Sequence, residues 1–260
     1  MAGPNTYSSD NPKMAEIPVL ISGAGPTGVF AALHLQKMNI PFRIIERDLT
    51  FSPLSKAFGI HSRTQEILQM TDPALIQEFL EAGYLPDLFR IYFGGSLACT
   101  LEIPSAKESY FSKELSLPQA KTVDILAKTL EKAGGKIEWG WELVDTKVVE
   151  SSEDTLPSGP SSSSSPSSWV ETTIRRALDG TNKRTGENKV LGTVELDQED
   201  EGKQYEYETI RSQFLIGADG GRSAVRHKIN MPFLGRTRDV NLVLFEGTAE
   251  SNTSALDEVT

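Results

Sequence analysis

Between Ile17 and Arg47 the chain reads IPVLISGAGPTGVFAALHLQKMNIPFRIIER, and the order of its parts leaves few folds open. A short apolar run, Ile17 to Ser22, has the length of a buried strand. Gly23, Gly25 and Gly28 follow in G-x-G-x-x-G spacing, then a helical segment from Thr27 to Lys37. A second apolar run, Phe42 to Ile45, closes on Glu46. This is the order of a dinucleotide-binding βαβ unit. Gly23 lets the chain turn sharply off the strand. Gly25 keeps a side chain out of the way of a pyrophosphate, and Gly28 allows the helix to approach the sheet. Pro26 suits the first helical turn, where a missing N–H costs nothing. With Thr27 it opens a helix whose free N–H groups and dipole favour phosphate. Asn39 is placed for a left-handed helix end before Ile40-Pro41. Glu46 stands 18 positions after Gly28, where a carboxylate can accept hydrogen bonds from an adenosine ribose. The same charge repels a 2′-phosphate, which disfavours NADP in this slot. The competing reading is a glycine-rich connector in an ordinary α/β domain, and the motif alone does not choose between FAD and NAD.

A chain of 260 residues holds one α/β domain, or one and part of another. Its formal charge of −10 argues against nucleic acid and anionic membranes as partners. The single cysteine, Cys99, cannot form an internal disulfide and fits a reducing compartment; without a nearby histidine it reads as structural. His34, His61 and His227 are scattered and show no metal-ligand spacing, so no metal is expected. No signal-peptide pattern opens the chain, and glycines and Pro26 interrupt its first apolar run. The expectation is a soluble, cytoplasmic protein without stable membrane association.

Residues 1–16 read as a disordered lead-in and Asp48 to Ile60 as an irregular loop. Ser62-Arg63-Thr64-Gln65 has the form of a capping box opening a short helix through Met70. Asp72-Pro73 starts another helix that stops at Gly83. Tyr84 to Phe111, with Gly94-Gly95, suggests a hairpin. Val123 to Lys132 is an amphipathic helix ended by Gly134, with Ile125, Leu126, Thr129 and Leu130 on one face. Ile137 to Glu150 reads as one or two strands. Ser151 to Ser168 is a Ser/Pro-rich insertion that cannot build a core. Trp169 to Leu178, Lys189 to Leu196 and Tyr205 to Ile210 read as strands of a meander. Phe214 to Ile216 reads as a separate short strand leading into Gly217-Ala218-Asp219-Gly220. That strand end would carry a short acid where open α/β sheets bind ligands, although Asp219-Gly220 is also an ordinary turn dipeptide.

Three segments together resemble the class A flavoprotein monooxygenases, the aromatic hydroxylases with one FAD-binding domain. They are Gly23, Gly25, Gly28 with Glu46-Arg47; SKAFGIHSRTQEIL, Ser55 to Leu68; and GADGGRSAVR, Gly217 to Arg226. Leu117-Pro118-Gln119 is a weaker fourth match. The resemblance implies an α/β, Rossmann-like FAD-binding domain (βαβ plus β-meander) over 17–235, with 236–260 beginning a substrate-domain sheet. It implies FAD as cofactor and NAD(P)H as co-substrate. In the family the reduced flavin and O₂ together hydroxylate an electron-rich substrate, usually a small phenolic aromatic. The cofactor contacts implied are Gly23, Gly25, Pro26, Thr27, Gly28, Glu46 at the ribose, Arg47 near adenine, Lys56, Arg63 and Gln119 near pyrophosphate or flavin, and Asp219 with Gly220 on the ribityl side. Arg63 and Gln119 equally suit an ordinary surface-helix role, and Ser223 and Arg226 could serve to fix the motif's own fold. No catalytic residue is assigned, because the cofactor carries the chemistry. A homodimer is compatible with this reading.

The family's third FAD motif, a Gly-Asp dipeptide with a Pro-Gly-Gly helix start, has no counterpart in the sequence. The expectation is therefore the N-terminal portion of such an enzyme. The alternatives are a catalytically inactive FAD-binding remnant, or an NAD-dependent reductase that uses the βαβ unit alone.

Overall fold

The computed structural model describes residues 14–53, 57–150, 168–180 and 204–236. They fall into two compact units. One is drawn from Met1–Gly28, Leu35–Thr50 and Lys136–Pro232, the other from Val29–His34, Phe51–Gly135 and Phe233–Thr260. No helix among the described residues is long and apolar enough to cross a membrane.

The first unit is built on a six-stranded sheet. Strand β1 (Ala15–Ser22) is followed by helix α1 (Pro26–Lys37) and strand β2 (Phe42–Glu46), the order expected from the sequence. The sheet also takes β7 (Ile137–Trp139), β8 (Glu142–Glu150), β9 (Ser168–Ala177) and β10 (Tyr205–Gly217), in the order β7-β2-β1-β10-β9-β8. Strands β7, β2, β1 and β10 run parallel, β9 is antiparallel to β10, and β8 is antiparallel to β9. The architecture is α/β, with a parallel core continued into an antiparallel meander. β1 is flanked by β10 along its length and by β2 from Val19 onward, and Val19–Ser22 is the part that is buried. A strand covered on both faces must be apolar without alternation, as Val19-Leu20-Ile21 is. Leu20, Ile45, Trp141, Ile174 and Ile210 form a buried core cluster, with Ile17 and Leu215 packed against it. Asn39 adopts φ 56, and the Asn39 and Ile40 N–H groups bond the Gln36 and Leu35 carbonyls, ending α1 as expected.

One expectation is corrected here. Tyr205–Ile210 and Phe214–Ile216 are not two strands but one, β10, of 13 residues. Its first part pairs with β9 and its last with β1, so the polar Arg211-Ser212-Gln213 step does not interrupt it. The residues 189–196, read as a strand, and the insertion lie outside the described residues except for Ser168, which opens β9.

The second unit contains β3 (Gly59–Ile60), α2 (Ser62–Thr71), α3 (Pro73–Ala82), β4 (Leu88–Phe93), β5 (Ser96–Glu102), β6 (Leu115–Ser116) and α4 (Gln119–Lys132). β3 lies in the stretch read as irregular loop and pairs with β6. Leu75, Ile76 and Phe79 of α3 and Val123, Ile125, Leu126 and Leu130 of α4 are buried. Helix α4 begins at Gln119, four residues before the expected start, because Pro118 takes the cap position. Asp72 caps α3 by accepting from the Ala74 N–H at 2.9 Å.

The capping box at Ser62 is a second correction. The cap residue of α2 is His61, which makes no side-chain cap hydrogen bond. Gln65 is buried instead, and its Nε2 donates to the Ile60 and Lys113 carbonyls at 2.9 and 2.8 Å. A buried amide must satisfy its donors, and the carbonyls flanking β3 and β6 do so. The expected hairpin is present as β4 and β5, with Gly94 and Gly95 at φ 58 and 81 in the two-residue turn.

Candidate functional site

The carboxyl ends of β1, β2 and β10 meet in the first unit. The Gly23 N–H donates to the Ile45 carbonyl and the Ala218 N–H to the Ser22 carbonyl, each at 2.8 Å. Gly23 has φ 105, a conformation disfavoured for residues with a side chain. A Cβ there would lie 2.5 Å from the Ala218 oxygen and 2.8 Å from the Asp219 Cα. A Cβ on Gly28 would overlap the Gly23 carbonyl oxygen and stand 3.2 Å from the Ala218 Cβ. Gly25 differs, since a Cβ there would meet nothing within 4 Å. Two glycines thus close the loop onto β10, while the third faces open space at the start of α1. Pro26 and the exposed Thr27 form the first turn of that helix.

Two acidic residues, Glu46 and Asp219, adjoin the glycine loop. Glu46 Oε2 accepts from the Ala24 N–H at 2.7 Å, and Oε1 accepts from the Asp48 N–H at 3.1 Å. Asp219 Oδ2 accepts from the Val225 N–H at 3.1 Å, whereas Oδ1 is buried and has no hydrogen-bond partner among the described residues. A buried carboxylate oxygen without a donor is costly, and a hydroxyl-bearing ligand would supply one. Ser223 Oγ accepts from the Arg226 N–H and Arg226 Nη1 donates to the Gly221 carbonyl, both at 2.9 Å. These two residues hold the loop around Asp219 and Gly220, the alternative role read for them in the sequence. Gly220, at φ 83, is exposed on that loop.

The structure gathers Gly23, Gly25, Pro26, Thr27, Gly28, Glu46, Arg47, Asp219 and Gly220 in one unit. Arg47 is exposed, its Nε 3.9 Å from Asp48 Oδ1. Arg63 and Gln119 belong to the other unit. Arg63 Nη1 pairs with Glu66 Oε2 at 3.0 Å, and Glu66 Oε1 accepts from Ser109 Oγ at 2.7 Å. The Ser109 hydroxyl first, and Arg63 second, hold the Glu66 carboxyl below its ordinary range. Gln119 is the half-buried first residue of α4. Lys56 lies outside the described residues. Sequence reasoning missed Ala218, whose carbonyl and methyl wall the glycine loop, and Asp48, whose N–H orients Glu46. A small residue between Gly217 and Asp219, and an amide two residues beyond Glu46, are the only signals either leaves.

The residues present fit the adenosine diphosphate end of FAD. The space at Gly25 and the donors of the helix start suit its phosphates and the Glu46 carboxylate its ribose hydroxyls, while the Asp219 carboxylate suits a hydroxyl of the ribityl chain beyond it.

Known proteins are similar to this chain over most of its length. The family described as FAD binding domain matches residues 16–155 and 168–258. The chain is 26% identical over 246 residues to rifampicin monooxygenase of Streptomyces venezuelae, covering 93% of this chain and 40% of that protein. It is 25% identical over 241 residues to pentachlorophenol 4-monooxygenase of Sphingobium chlorophenolicum, covering 92% of this chain and 36% of that protein. The crystal structure of p-nitrophenol 4-monooxygenase from Pseudomonas putida DLL-E4 superposes with a TM-score of 0.57 at 20% identity, over 83% of this chain and 44% of that one. The chain thus spans well under half the length of these relatives. With a glycine-rich loop, a flanking acid and a second motif at adjacent strand ends, and with that match over most of its length, this chain belongs to the FAD-binding domain family of the class A FAD-dependent monooxygenases.

Proposed function

We propose that the chain binds FAD as part of a monooxygenase that uses NAD(P)H and O₂ to hydroxylate a small aromatic, phenolic compound. The observation that carries the reading is the packing of the Gly23 turn on Ala218-Asp219, which sets against the glycine loop an aspartate whose Oδ1 has no hydrogen-bond partner among the described residues. On this reading the α1 N–H groups bind the pyrophosphate, and Gly25 leaves the space it needs. Glu46, held by the Ala24 and Asp48 N–H groups, accepts from the adenosine ribose. Arg47 lies toward adenine, and Asp219 accepts from the ribityl side. Lys56, Arg63 and Gln119 are the basic and amide groups proposed for the pyrophosphate or flavin. Bound FAD, once reduced by NAD(P)H, would supply the centre at which O₂ is activated. The phenolic substrate class rests on the relative that acts on pentachlorophenol, as its name states.

The test is a titration of the purified 260-residue chain with FAD, followed by flavin fluorescence, with released-cofactor analysis of the protein as isolated. Saturable binding that Gly25→Val removes is expected. A folded chain that neither retains nor takes up flavin would overturn the assignment. With FAD bound, phenol-dependent oxidation of NADH or NADPH with a hydroxylated product then tests the reaction.

A further inference from the structure

Helices α2 and α4 start from the same small sheet. β3 leads through His61 into α2, and β6 leads through Leu117-Pro118 into α4. Arg63 is the second residue of α2 and Gln119 the first of α4. Both groups proposed for the pyrophosphate or flavin thus stand at helix starts that this sheet sets. The sheet is short. Gly59 pairs with Ser116 and Ile60 with Leu115, and the Leu117 N–H donates to the Phe58 carbonyl at 2.7 Å. Strands this short hold their pairing weakly without further contacts.

Two side chains supply such contacts. Gln65, the fourth residue of α2, is completely buried. Its Nε2 donates to the Ile60 and Lys113 carbonyls at 2.9 and 2.8 Å, one on each side of the pair. Holding both carbonyls fixes the orientation of the amide, and Oε1 is left buried with no hydrogen-bond partner among the described residues. An orphaned acceptor opposes folding. Gln65 shares the buried face of α2 with Leu68, where an apolar side chain would carry no such cost, so stability alone does not account for a glutamine here. Glu114 is the second. Its Oε1 occupies the place where a Cβ on Gly59 would stand, and its Oε2 lies 3.2 Å from Nδ1 of His61, the cap residue of α2. Exposure of His61 keeps that pair weak on its own, but it ties the start of α2 to β6 across the space that Gly59 leaves open.

We propose that Gln65 and Glu114 are positioning residues for the flavin end of FAD: they lock β3 to β6 and so fix the helix starts that carry Arg63 and Gln119. The inference rests on the reading of those two residues as cofactor contacts. Gly25 and Glu46, which meet the phosphates and the adenosine ribose on that reading, belong to the other compact unit. The clamp therefore acts on what FAD binds beyond its ADP portion.

The test compares FAD with ADP by calorimetric titration of the 260-residue chain and of two variants, each checked for parent-like circular dichroism. Gln65→Met keeps the length of the side chain and removes both donors. Gly59→Ala pushes the Glu114 carboxylate aside, and the far end of a flexible side chain can yield without unfolding the sheet. The parent is expected to bind FAD more tightly than ADP. In each variant ADP affinity should stay at the parent's value while FAD affinity falls about tenfold or more, the scale of one hydrogen bond to a charged group. Parent-like FAD affinity in either variant would overturn the proposal for the residue concerned and leave the cofactor reading standing. A parent that binds FAD no more tightly than ADP would overturn both, since nothing would then contact the flavin end. Equal losses for ADP and FAD, or failure of both variants to fold, would make the clamp a structural support and overturn its positioning role.

Discussion

The Glu46 carboxylate accepts the backbone N–H of Ala24, 22 residues earlier in the chain, at 2.7 Å. The same carboxylate accepts the Asp48 N–H at 3.1 Å, so one side chain ties the end of β2 to the glycine loop at the end of β1. The acid proposed to meet the ribose is thereby oriented before any ligand arrives, which lowers the ordering cost of binding.

Glu46→Ala should therefore act on both stability and binding. Loss of two charge-assisted hydrogen bonds predicts destabilisation by about 1–3 kcal/mol in urea unfolding. FAD affinity should fall by at least about tenfold, the equivalent of roughly 1.4 kcal/mol. Affinity equal to that of the unchanged protein would exclude Glu46 from the nucleotide site.

The three glycines should separate structural from binding roles. Gly28→Ala sets a methyl against the Gly23 carbonyl oxygen, and overpacking of this kind costs about 1–3 kcal/mol. Gly25→Ala meets nothing within 4 Å, so the thermal midpoint should stay close to that of the parent while FAD binding weakens. If Gly25→Ala binds FAD normally, the open space beside it does not receive the pyrophosphate.

Arg43 on β2 bonds Glu138 on β7 through two contacts of 2.7 Å, and Glu208 on β10 at 2.5 and 3.0 Å. The Glu138 hydrogen bonds, then those of Glu208, raise the guanidinium above its ordinary range against the opposing effect of burial. Arg43→Met leaves two partly buried carboxylates without their counter-ion. We expect a loss of about 1–3 kcal/mol near neutral pH, below the cost for a fully buried pair because these side chains keep some solvent contact. The loss should shrink on acidification, as the carboxylates protonate. A deficit that is the same at all pH values would mean that packing, not charge, sets the effect.

Glu66 gives a pH dependence of opposite origin. Its folded value is depressed by Ser109 and then Arg63 from an ordinary 4.5. Its contribution to stability is therefore present above about that pH and is lost as the pH falls through the folded value. Ser109→Ala removes the larger cause, so the Glu66 side-chain titration should move upward toward the ordinary value in NMR. The denaturation midpoint should also lose less than the parent's between roughly pH 6 and pH 3. An unchanged titration would show that the Ser109 contact does not persist in solution.

Much of this was legible in the sequence for physical reasons that are local. The βαβ unit was readable because its strand must be continuously apolar, its turn needs glycine and its helix tolerates Pro26 at the start. The α3 cap at Asp72, the left-handed Asn39 and the Gly94-Gly95 hairpin follow from backbone preferences of single residues. The helix face of α4 followed from its period. What failed was also instructive. The capping box at Ser62 was a local pattern overridden by burial of Gln65, and the split of β10 mistook three polar residues, Arg211-Ser212-Gln213, for a break.

The sequence by itself determined that a glycine loop, a ribose-spaced acid and a Gly-Ala-Asp-Gly turn each stand at the end of a strand, because those are demands of short chain segments. Only the tertiary structure decided that the loop and the Asp219 turn share one wall. Pairing of β1 with β10 joins residues about 195 positions apart in the chain, and no local signal encodes which strands become neighbours. Beside that pairing, one Asp219 oxygen is buried without a donor among the described residues. That orphaned acceptor arises from packing alone.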